Sequence, residues 1–333
     1  MKILCIGSIT QDVFLPTSEG IILETPKDLT AQRKIAFELG AKYDIKEKFL
    51  SLGGCSVNVA VGLAKLGKKA DCYCLIGEDM IGQWIKKELS ETGVGTNNIV
   101  AFPNLKSDSS AIIIDEKTGE RTIFSNHDAS HHLETEKARL QDDSGWFFVG
   151  DLSGKWKENL AVILEYAKEN NVKIAFNPRQ QMLHEDIAFI VKSLSDCEVV
   201  FVNKDEAIEI VFSENKNKKL INDEKYLIDE LHRMGAKIVV LTDGTNGAWG
   251  HNGEQILHVD ALVKKAVDTT GSGDAFTSGF LAAHLKNKDF AEALKWGIIN
   301  SSNSVMAYGG QKGLLSEEAI TSSIDDVYVE SLN

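Results

Sequence analysis

The chain has 333 residues, of which 43% are hydrophobic, and this is enough apolar material to fill the core of one large α/β domain or two small ones. The formal net charge of -13 argues against nucleic acid or an anionic membrane surface as the main partner, and the apolar runs are far shorter than a membrane span. Because residues 1–7 read directly as a first strand, with no signal-peptide pattern, we expect a cytoplasmic protein.

The first part of the chain alternates strands and helices, with two interruptions. An apolar run over 2–9 predicts a buried strand that continues to Asp12 at its C-terminal end. Residues 14–50 are mixed in character and broken by charges and prolines, which indicates irregular or antiparallel structure. The elements predicted next are a helix that follows Gly53-Gly54 and ends at Gly67, a strand over 70–76, a helix through Leu89, and a β-hairpin over 109–114 and 121–125 around Gly119.

From residue 146 onward the alternation of strands and helices is regular. This order predicts the α/β class, with a three-layer α/β/α arrangement around a mostly parallel sheet. We treat the chain, residues 1–333, as a single domain. The predicted strands cover 146–149, 172–176, 198–202 and 237–241, the helices cover 156–169, 182–194, 204–212 and 223–234, and a hairpin at 246–259 precedes helices at 274–286, 289–307 and 316–323.

Polar residues follow several of the predicted strands. In a parallel sheet, ligands bind outside the carboxyl ends of the strands, so we expect these residues to converge on one rim of the sheet. Such a convergence is typical of a binding site rather than of a purely structural surface. The residues are Asp12, Asn177, Asn203, Asp243 and Asp268.

Residues 268–280 combine an anion-binding turn with a carboxylate. Gly271, Ser272 and Gly273 allow positive φ values and expose N–H groups toward one point, and the apolar helix that follows adds the favourable end of its dipole. Asp274 lies at the mouth of this helix, where a carboxylate is suited to accept the proton of a hydroxyl that attacks a phosphoryl group. The alternative interpretation is that Asp274 only caps the helix.

A second turn, Gly53-Gly54, is followed by Asn58 in the first turn of a predicted helix. This places an amide at the rim of the sheet, where its donors and its acceptor suit the hydroxyl groups of a polyol. Taken alone, the same residues favour the structural interpretation, in which the glycines form a tight turn and Asn58 is an early polar helix residue. Asp12 also has two interpretations, because an Asp at a strand end often forms an Asx-turn instead of binding a ligand.

Two more strand ends carry a candidate nucleotide site. Asn203 and Glu206 open a helix directly after a strand, either as a reciprocal capping pair or, in the functional interpretation, with Glu206 near hydrated magnesium. The turn after the following strand is Gly-rich and suits the close approach of a nucleotide, although it equally suits the entry to a hairpin. Its candidate residues are Thr242, Asp243, Gly244 and Gly247.

Three other patterns do not indicate sites. Residues 62–69 have nearly the P-loop spacing, but they end in Lys69 instead of a hydroxyl residue and they finish a helix instead of opening one. The histidines at 127, 131 and 132 lack a suitably spaced acidic or Cys partner, so we expect solvated loop residues. The five cysteines have no Cys-x-x-Cys spacing, which predicts buried thiols and no structural zinc site.

Taken together and in this order, the motifs resemble the ribokinase-like (PfkB) carbohydrate kinase family over nearly the whole chain. The most specific match is Asp-Thr-Thr-Gly-Ser-Gly-Asp-Ala-Phe at 268–276, which is similar to the family's C-terminal signature with Ser272 where Ala is common. Residues 53–67 are similar to a second signature of the family. The shorter motifs at 77–82, 119–123, 203–206 and 242–244 follow in family order.

The resemblance implies ATP-dependent phosphorylation of a sugar-like alcohol, in a cleft that a small β-sheet lid closes. The interruptions at 14–50 and 96–130 match this lid. Asp274 matches the base that takes the hydroxyl proton. By position, the anion hole would be formed by Gly271, Ser272 and Gly273, and substrate hydroxyls would be held by Asp12, Gly53, Gly54 and Asn58. Asn203 and Glu206 would support phosphate and Mg²⁺, and the nucleotide would be lined by Thr242, Asp243, Gly244 and Gly247. Asp268 and Thr270 match positions that hold K⁺ in several members of the family.

Some segments depart from the family pattern. The hairpin is followed by Asn-His-Asp-Ala at 126–129, so an Arg suited to a substrate carboxylate is missing there, which disfavours an acidic ketodeoxy sugar. The long segment from Asp12 to Gly53 is more like the lids of nucleoside kinases than that of ribokinase. Residues 296–305 replace the usual Ala-rich helix that flanks adenine, and we expect Asn300 or Asn303 to contact the base.

The leading hypothesis is therefore transfer of the ATP γ-phosphoryl group to a hydroxyl of a sugar or sugar-like substrate, with a nucleoside kinase of the same family as the alternative. A non-catalytic metabolite sensor on this fold is a third hypothesis, but it has no need to keep Asp274, Asn203 and Glu206. A dinucleotide-binding oxidoreductase is disfavoured, because no Gly-x-Gly-x-x-Gly follows the first strand. An exposed lid edge leaves both a monomer and a homodimer open.

Overall fold

The structure is a computed structural model. It describes residues 2–24, 33–118, 121–141, 143–214, 220, 222–262 and 264–332. The predicted hairpin turn at Gly119, and residues 25–32 of the predicted lid, lie outside this part of the chain. Within it, no helix has the length and apolar character that a bilayer-spanning segment requires.

Strands and helices alternate along most of the chain. The strands are β1 (Lys2–Gly7), β2 (Thr10–Thr17), β3 (Ile21–Glu24), β4 (Arg33–Ala36), β5 (Phe49–Gly53), β6 (Lys69–Gly77), β7 (Ile99–Phe102), β8 (Asp108–Asp115), β9 (Arg121–Asn126), β10 (Ser144–Gly150), β11 (Lys173–Asn177), β12 (Val199–Asn203), β13 (Ile238–Thr242), β14 (Ala248–His251), β15 (Ile256–Val259) and β16 (Val329–Ser331). The α-helices are α1 (Cys55–Lys65), α2 (Met80–Ser90), α3 (Lys137–Leu140), α4 (Trp156–Asn170), α5 (Gln180–Ser193), α6 (Lys204–Glu214), α7 (Glu224–Arg233), α8 (Ser272–His284), α9 (Phe290–Ser304) and α10 (Glu317–Ser322).

A large sheet of ten strands runs through the protein in the order β16-β15-β14-β13-β12-β11-β10-β1-β6-β7. The seven strands from β13 to β7 pair in parallel, and β14, β15 and β16 continue one edge in antiparallel pairing. The parallel strands are joined by helices, as the alternating pattern predicts. The predicted hairpin at 246–259 is present as β14 and β15, whereas β7 and β16 were not predicted.

Both faces of the large sheet are buried, which confirms the three-layer prediction. Along β1, Ile3 and Cys5 contribute to one hydrophobic core while Leu4 and Ile6 contribute to the other, because successive side chains of a strand point to opposite faces. Helices α1, α2, α8 and α9 cover the first face, and α4 to α7 cover the second. The carboxyl ends of the parallel strands consequently share one rim that remains open to ligands.

A second, smaller sheet has the strand order β5-β2-β8-β9, and β3 pairs with β4 in a separate two-stranded ribbon. Two predictions are wrong here. Asp12 does not end a strand of the large sheet, since β1 stops at Gly7 and Asp12 lies inside β2 of the small sheet. The range 96–130 assigned to the lid is too long at its start, because β7 pairs with β6 and extends the large sheet.

A small aromatic and aliphatic cluster joins the small sheet to the C-terminal part of the chain. Phe14, Ile112 and Ile114 are buried on the inner face of the small sheet. Tyr308, which follows α9, packs against them and stacks on Phe49 with ring centroids 4.9 Å apart. The position of the small sheet over the rim is therefore held by apolar contacts rather than by chain connectivity alone.

The packing predicts a large stability loss on truncation of Phe280. This ring is fully buried in α8 and lies 5.5 Å from the Phe201 ring and 6.0 Å from the Phe290 ring. We expect Phe280→Ala to lower the free energy of unfolding by about 3–5 kcal/mol, because a cavity replaces the ring. Leu39→Ala, at a side chain that is 99% exposed, should change it by less than about 0.5 kcal/mol. Urea unfolding of both variants checks this, and equal losses would contradict it.

Candidate active site

The N-terminus of α8 forms a tight turn that only glycine accommodates at its first position. Gly271 is the N-cap residue, with φ of 73°, and a Cβ atom there would lie 2.6 Å from Gly310 Cα. The prediction of positive φ for Ser272 and Gly273 is wrong, because α8 already begins at Ser272, two residues earlier than predicted.

The first N–H groups of α8 are available to an anion. In the described part of the chain, the backbone N–H groups of Gly271, Gly273 and Asp274 have no protein acceptor, whereas that of Ser272 donates to Thr269 O at 3.3 Å. A Cβ atom placed on Gly273 would meet no atom within 4 Å, so open space faces this turn. Unsatisfied donors at the positive end of a helix dipole favour a phosphate or similar group.

Asp274 accepts a hydrogen bond from another helix instead of capping its own. Asn58 Nδ2 in α1 donates to Asp274 Oδ2 at 2.8 Å. The pKa of Asp274 is raised to about 6, mainly by burial and in addition by the charges of Asp151 and Asp12, while Asn58 and Cys55 lower it. A carboxyl group with such a pKa is ionised near neutral pH and still basic enough to accept a proton.

Asp12 and the Gly53-Gly54 turn form the side of the site under the small sheet. Asp12 is buried and accepts a hydrogen bond from Thr10 Oγ1 at 2.8 Å, and burial raises its pKa. A Cβ atom on Gly53 would lie 2.1 Å from Asp12 Oδ2, and one on Gly54 would lie 2.4 Å from Ser8 O. A side chain at Gly53 would displace the Asp12 carboxylate, and one at Gly54 would clash with the backbone that connects β1 to β2, so both positions need glycine.

Asn203 and Glu206 form the reciprocal cap of α6. Asn203 Oδ1 accepts from the Glu206 N–H at 2.9 Å, and Glu206 Oε2 accepts from the Asn203 N–H at 2.9 Å. Glu206 also lines a cavity of about 90 Å³ with Thr242 and Gly273, and burial raises its pKa to about 7. The structural and the functional interpretations are thus compatible, since one carboxylate caps the helix and faces the cavity beside α8.

The turn after β13 is fixed by a network around Asp243. Its carboxylate accepts from Lys204 Nζ at 3.2 Å and from Asn246 Nδ2 at 2.9 Å. Gly247 has φ of 94°, and a Cβ atom there would lie 2.1 Å from the Val259 carbonyl oxygen. A Cβ atom on Gly244 would meet nothing within 4 Å, so this backbone is open to a ligand. Asp243 itself serves chiefly to shape the turn.

The structure does not support the predicted contact of Asn300 with a base. Asn300 is fully buried, and its Nδ2 donates to Ala275 O at 2.8 Å while its Oδ1 accepts from the Leu315 N–H at 2.9 Å. It therefore links α8, α9 and the segment after α9. Asn303 is more accessible and binds Gly313 O and Lys264 Nζ, so its contact with a base stays a prediction.

Asp268 and Thr270 lie directly before the N-terminus of α8. Asp268 is buried and does not follow a strand of the large sheet, contrary to the rim prediction, because β15 already ends at Val259. Asp268 Oδ1 accepts from the N–H and the Oγ1 of Thr270, at 2.9 and 2.7 Å, and Oδ2 accepts from the Gly309 N–H at 2.9 Å. In the described residues no group of three or more His, Cys, Asp or Glu side chains has the geometry of a metal site.

Sequence reasoning missed an ion pair at the rim. Asp151 directly follows β10 in a left-handed conformation, with φ of 59°, and its Oδ1 lies 2.7 Å from Arg179 Nη1. Ser8 Oγ donates to the second carboxylate oxygen of Asp151. The signal was present, because Asp151 follows a predicted strand and Arg179 comes two residues after the strand-end Asn177. The charge of Asp151 contributes to raising the pKa of Asp274.

The profile of the pfkB family carbohydrate kinases matches residues 32–316. An ATP-dependent 6-phosphofructokinase of Thermoanaerobacterium thermosaccharolyticum is 24% identical, with 82% of this chain and 84% of that protein covered. Among solved structures, a Burkholderia thailandensis nucleoside kinase in complex with inosine has a TM-score of 0.77 and 18% identity, covering 98% of each chain. An Arabidopsis thaliana ribokinase complexed with ribose and ATP has a TM-score of 0.75 and 17% identity, covering 97% and 98%.

The raised pKa of Asp274 predicts a stability gain when the charge is removed. Its folded value of about 6 exceeds the ordinary 3.8, so the ionised carboxylate destabilises the fold increasingly as the pH rises through this window. We expect Asp274→Asn to raise the melting temperature at about pH 8, and to raise it much less at about pH 4.5. Thermal unfolding of both proteins at the two pH values checks this. A melting temperature that falls at about pH 8 would contradict the electrostatic account.

Proposed function

The chain belongs to the pfkB family of carbohydrate kinases, and on this premise we propose that it transfers the γ-phosphoryl group of ATP to a hydroxyl of a sugar or sugar-like substrate. This is a phosphotransferase reaction with an alcohol group as acceptor. The observation that carries the proposal is the position of Asp274, a carboxylate with a pKa of about 6 in the first turn of α8, where the N–H groups of Gly271 and Gly273 have no acceptor among the described residues.

Two groups of this chain act on the reacting atoms. Asp274 accepts the proton of the attacking hydroxyl, which contributes about 10²–10⁴-fold to the rate. The N–H groups of Gly271 and Gly273 donate to the oxygens of the transferring phosphoryl group, where negative charge is spread in the transition state. Since these donors are fixed by the helix, they need no reorganisation during the reaction.

The acceptor binds between the small sheet and the start of α1 in this proposal. Asp12 lies on the inner face of β2, Asn58 lies in α1, and Gly53-Gly54 keeps the backbone that leads into α1 free of side chains. A carboxylate and an amide are suitable partners for vicinal hydroxyl groups. Both free sugars and the ribose of a nucleoside carry such groups, so the family relatives of either kind are compatible with the site.

The nucleotide lies beyond α8 in this proposal, along Thr242, Gly244 and Gly247, whose backbone is open or tightly turned. Glu206 fits Mg²⁺, because it places a single carboxylate beside the α8 N-terminus and Mg²⁺ usually keeps several waters and binds phosphates as well. When bound, Mg²⁺ neutralises charge on the β- and γ-phosphate oxygens. Asp268, a buried carboxylate next to the anion hole, supports a K⁺ site with Thr270.

We further infer a cytoplasmic enzyme with no nucleic-acid or membrane partner, in line with its net charge of -13. A second copy of the chain is its protein partner in this proposal. The outer face of the small sheet is an apolar patch, and Phe124 within it is 60% exposed. Such a patch is typical of an interaction surface. By their strand register, its residues are Val13, Leu15, Leu50, Ala111, Ile113 and Phe124.

If the chain forms a homodimer through this patch, a substitution in the patch should lower the mass of the particle in solution. We expect light scattering to give twice the chain mass for the wild type and the chain mass for Phe124→Asp, because a charge cannot be buried in an apolar interface without a partner. The control is Tyr328→Asp, at an exposed ring outside the small sheet, which should remain dimeric. A wild-type protein that is monomeric at micromolar concentration would refute the homodimer.

Replacement of Asp274 tests the assigned base. We expect Asp274→Asn to lower turnover by about 10²–10⁴-fold, since the amide accepts no proton, while the dissociation constant for ATP changes less than about threefold. Asp325→Asn, at an exposed position, serves as the matched control and should be fully active. Near-normal turnover of Asp274→Asn would remove Asp274 from the mechanism.

The acceptor is identified by ATP consumption over a panel of pentoses, hexoses, sugar phosphates and nucleosides, with and without K⁺. A sugar-specific or nucleoside-specific rate decides between the two kinds of kinase. Absence of any acceptor-dependent ATP consumption would favour a non-catalytic metabolite sensor and contradict the proposal. A rate that does not change with K⁺ would remove the cation site at Asp268 and Thr270.

A further inference from the structure

A chain of hydrogen bonds leads from Gln311 to Asp274. Gln311 Nε2 donates to Asn58 Oδ1 at 3.0 Å, and Asn58 Nδ2 donates to Asp274 Oδ2 at 2.8 Å. Gln311 is 9% exposed and Asn58 is 5% exposed, so water competes poorly for either bond. We propose that Gln311 is a positioning residue for phosphoryl transfer, which fixes the orientation of the Asn58 amide and thereby keeps a donor directed at the base. This inference rests on the proposed function.

The orientation matters because an Asn side chain has an acceptor on one side and a donor on the other. An ionised Asp274 only accepts, so it requires the NH₂ group of Asn58. The oxygen of Asn58 then points away from Asp274 and needs a donor of its own, which the amide of Gln311 supplies. With the Asn58 amide turned over, its oxygen would face the Asp274 carboxylate and its NH₂ group would face that of Gln311. Both contacts would be unfavourable.

Helix α1 carries Asn58 and also anchors the backbone at Gln311. Lys65, in its last turn, donates through Nζ to the Gln311 carbonyl oxygen at 2.9 Å and to the Leu314 carbonyl oxygen at 3.4 Å. Gly310 lets the backbone pass close to Asn58, because a Cβ atom there would lie only 2.7 Å from Asn58 Nδ2. The segment after α9 is thus anchored on the same helix that carries Asn58, and the Gln311 side chain has a fixed place beside it.

The groups that face Asp274 come from several elements. Asn58 and Cys55 in α1 lower its pKa by hydrogen bonding, whereas burial and the charges of Asp151, after β10, and Asp12, on β2, raise it to about 6. Asn58 is the stronger of the two side chains that stabilise the ionised form. Without the donor at position 311, the Asn58 amide is less well oriented and its hydrogen bond to Asp274 is weaker. Because this hydrogen bond lowers the pKa of Asp274, we expect that pKa to increase further.

Two substitutions at position 311 separate orientation from packing. Gln311→Met keeps a similar shape without a donor, and Gln311→Glu keeps the shape but presents an acceptor to Asn58 when ionised. We expect turnover to fall roughly tenfold in Gln311→Met and by more in Gln311→Glu, corresponding to about one hydrogen bond. The acidic limb of kcat/KM should move to higher pH in both variants, with the KM for ATP within about twofold of wild type. The control Gln83→Met, at an exposed position of α2, should behave as wild type.

A second measurement does not depend on turnover. Carboxyl ¹³C NMR titration, with the Asp274 signal assigned by its absence from Asp274→Asn, should give a higher pKa in Gln311→Met than in wild type. Turnover that falls with an unmoved acidic limb and an unmoved NMR pKa would show a structural role only and overturn the inference. Wild-type behaviour of Gln311→Glu would overturn it as well. If the wild type phosphorylates no acceptor, the proposed function fails, and the NMR titration still decides whether Gln311 controls Asp274.

Discussion

The enclosure of an ionisable carboxyl group beside an unsatisfied helix N-terminus is the constraint on which the candidate site depends. Burial disfavours the charged form of Asp274, and the nearby carboxylates of Asp12 and Asp151 add to this effect. Asn58 opposes it with a direct hydrogen bond. The balance leaves a pKa of about 6, which is the range in which a carboxylate is both ionised and basic at neutral pH. A fold that minimised its own free energy would not keep this charge, so its presence points to chemistry.

The two sheets contribute different parts of the candidate site around Asp274. The large sheet brings the strand ends, the α6 cap and the α8 N-terminus to one rim, which is where a nucleotide and its phosphates are accommodated in the proposal. The small sheet contributes Asp12. The cluster of Phe14, Phe49 and Tyr308 holds this sheet in contact with the segment that also carries Gln311. The acceptor side of the proposed site therefore needs residues of both sheets.

The layers of the fold are predictable from the sequence because they depend on local signals. Apolar periodicity gives the bounds of most helices, and of the parallel strands other than β7, within a few residues. The Gly-Ser-Gly-Asp turn predicts Asp274 as the base, and this role stays a prediction. Prediction from the sequence fails where tertiary contacts determine the position of a residue. Asp12 belongs to a strand that is separated from β1 by only two residues. Asn300 is buried because its side chain makes hydrogen bonds with the backbone of Ala275 and of Leu315. Gln311 contacts a residue 253 positions away, so no spacing rule finds it.

We propose that this site moves a phosphoryl group from ATP to an alcohol rather than to water. This is tested by ³¹P NMR of ATP incubated with the wild-type protein and the acceptor that the activity panel selects. We expect a new phosphomonoester signal that grows in equal amount with ADP, with little inorganic phosphate. ADP formed with inorganic phosphate alone, or no change in the ATP signals with any acceptor, would contradict it.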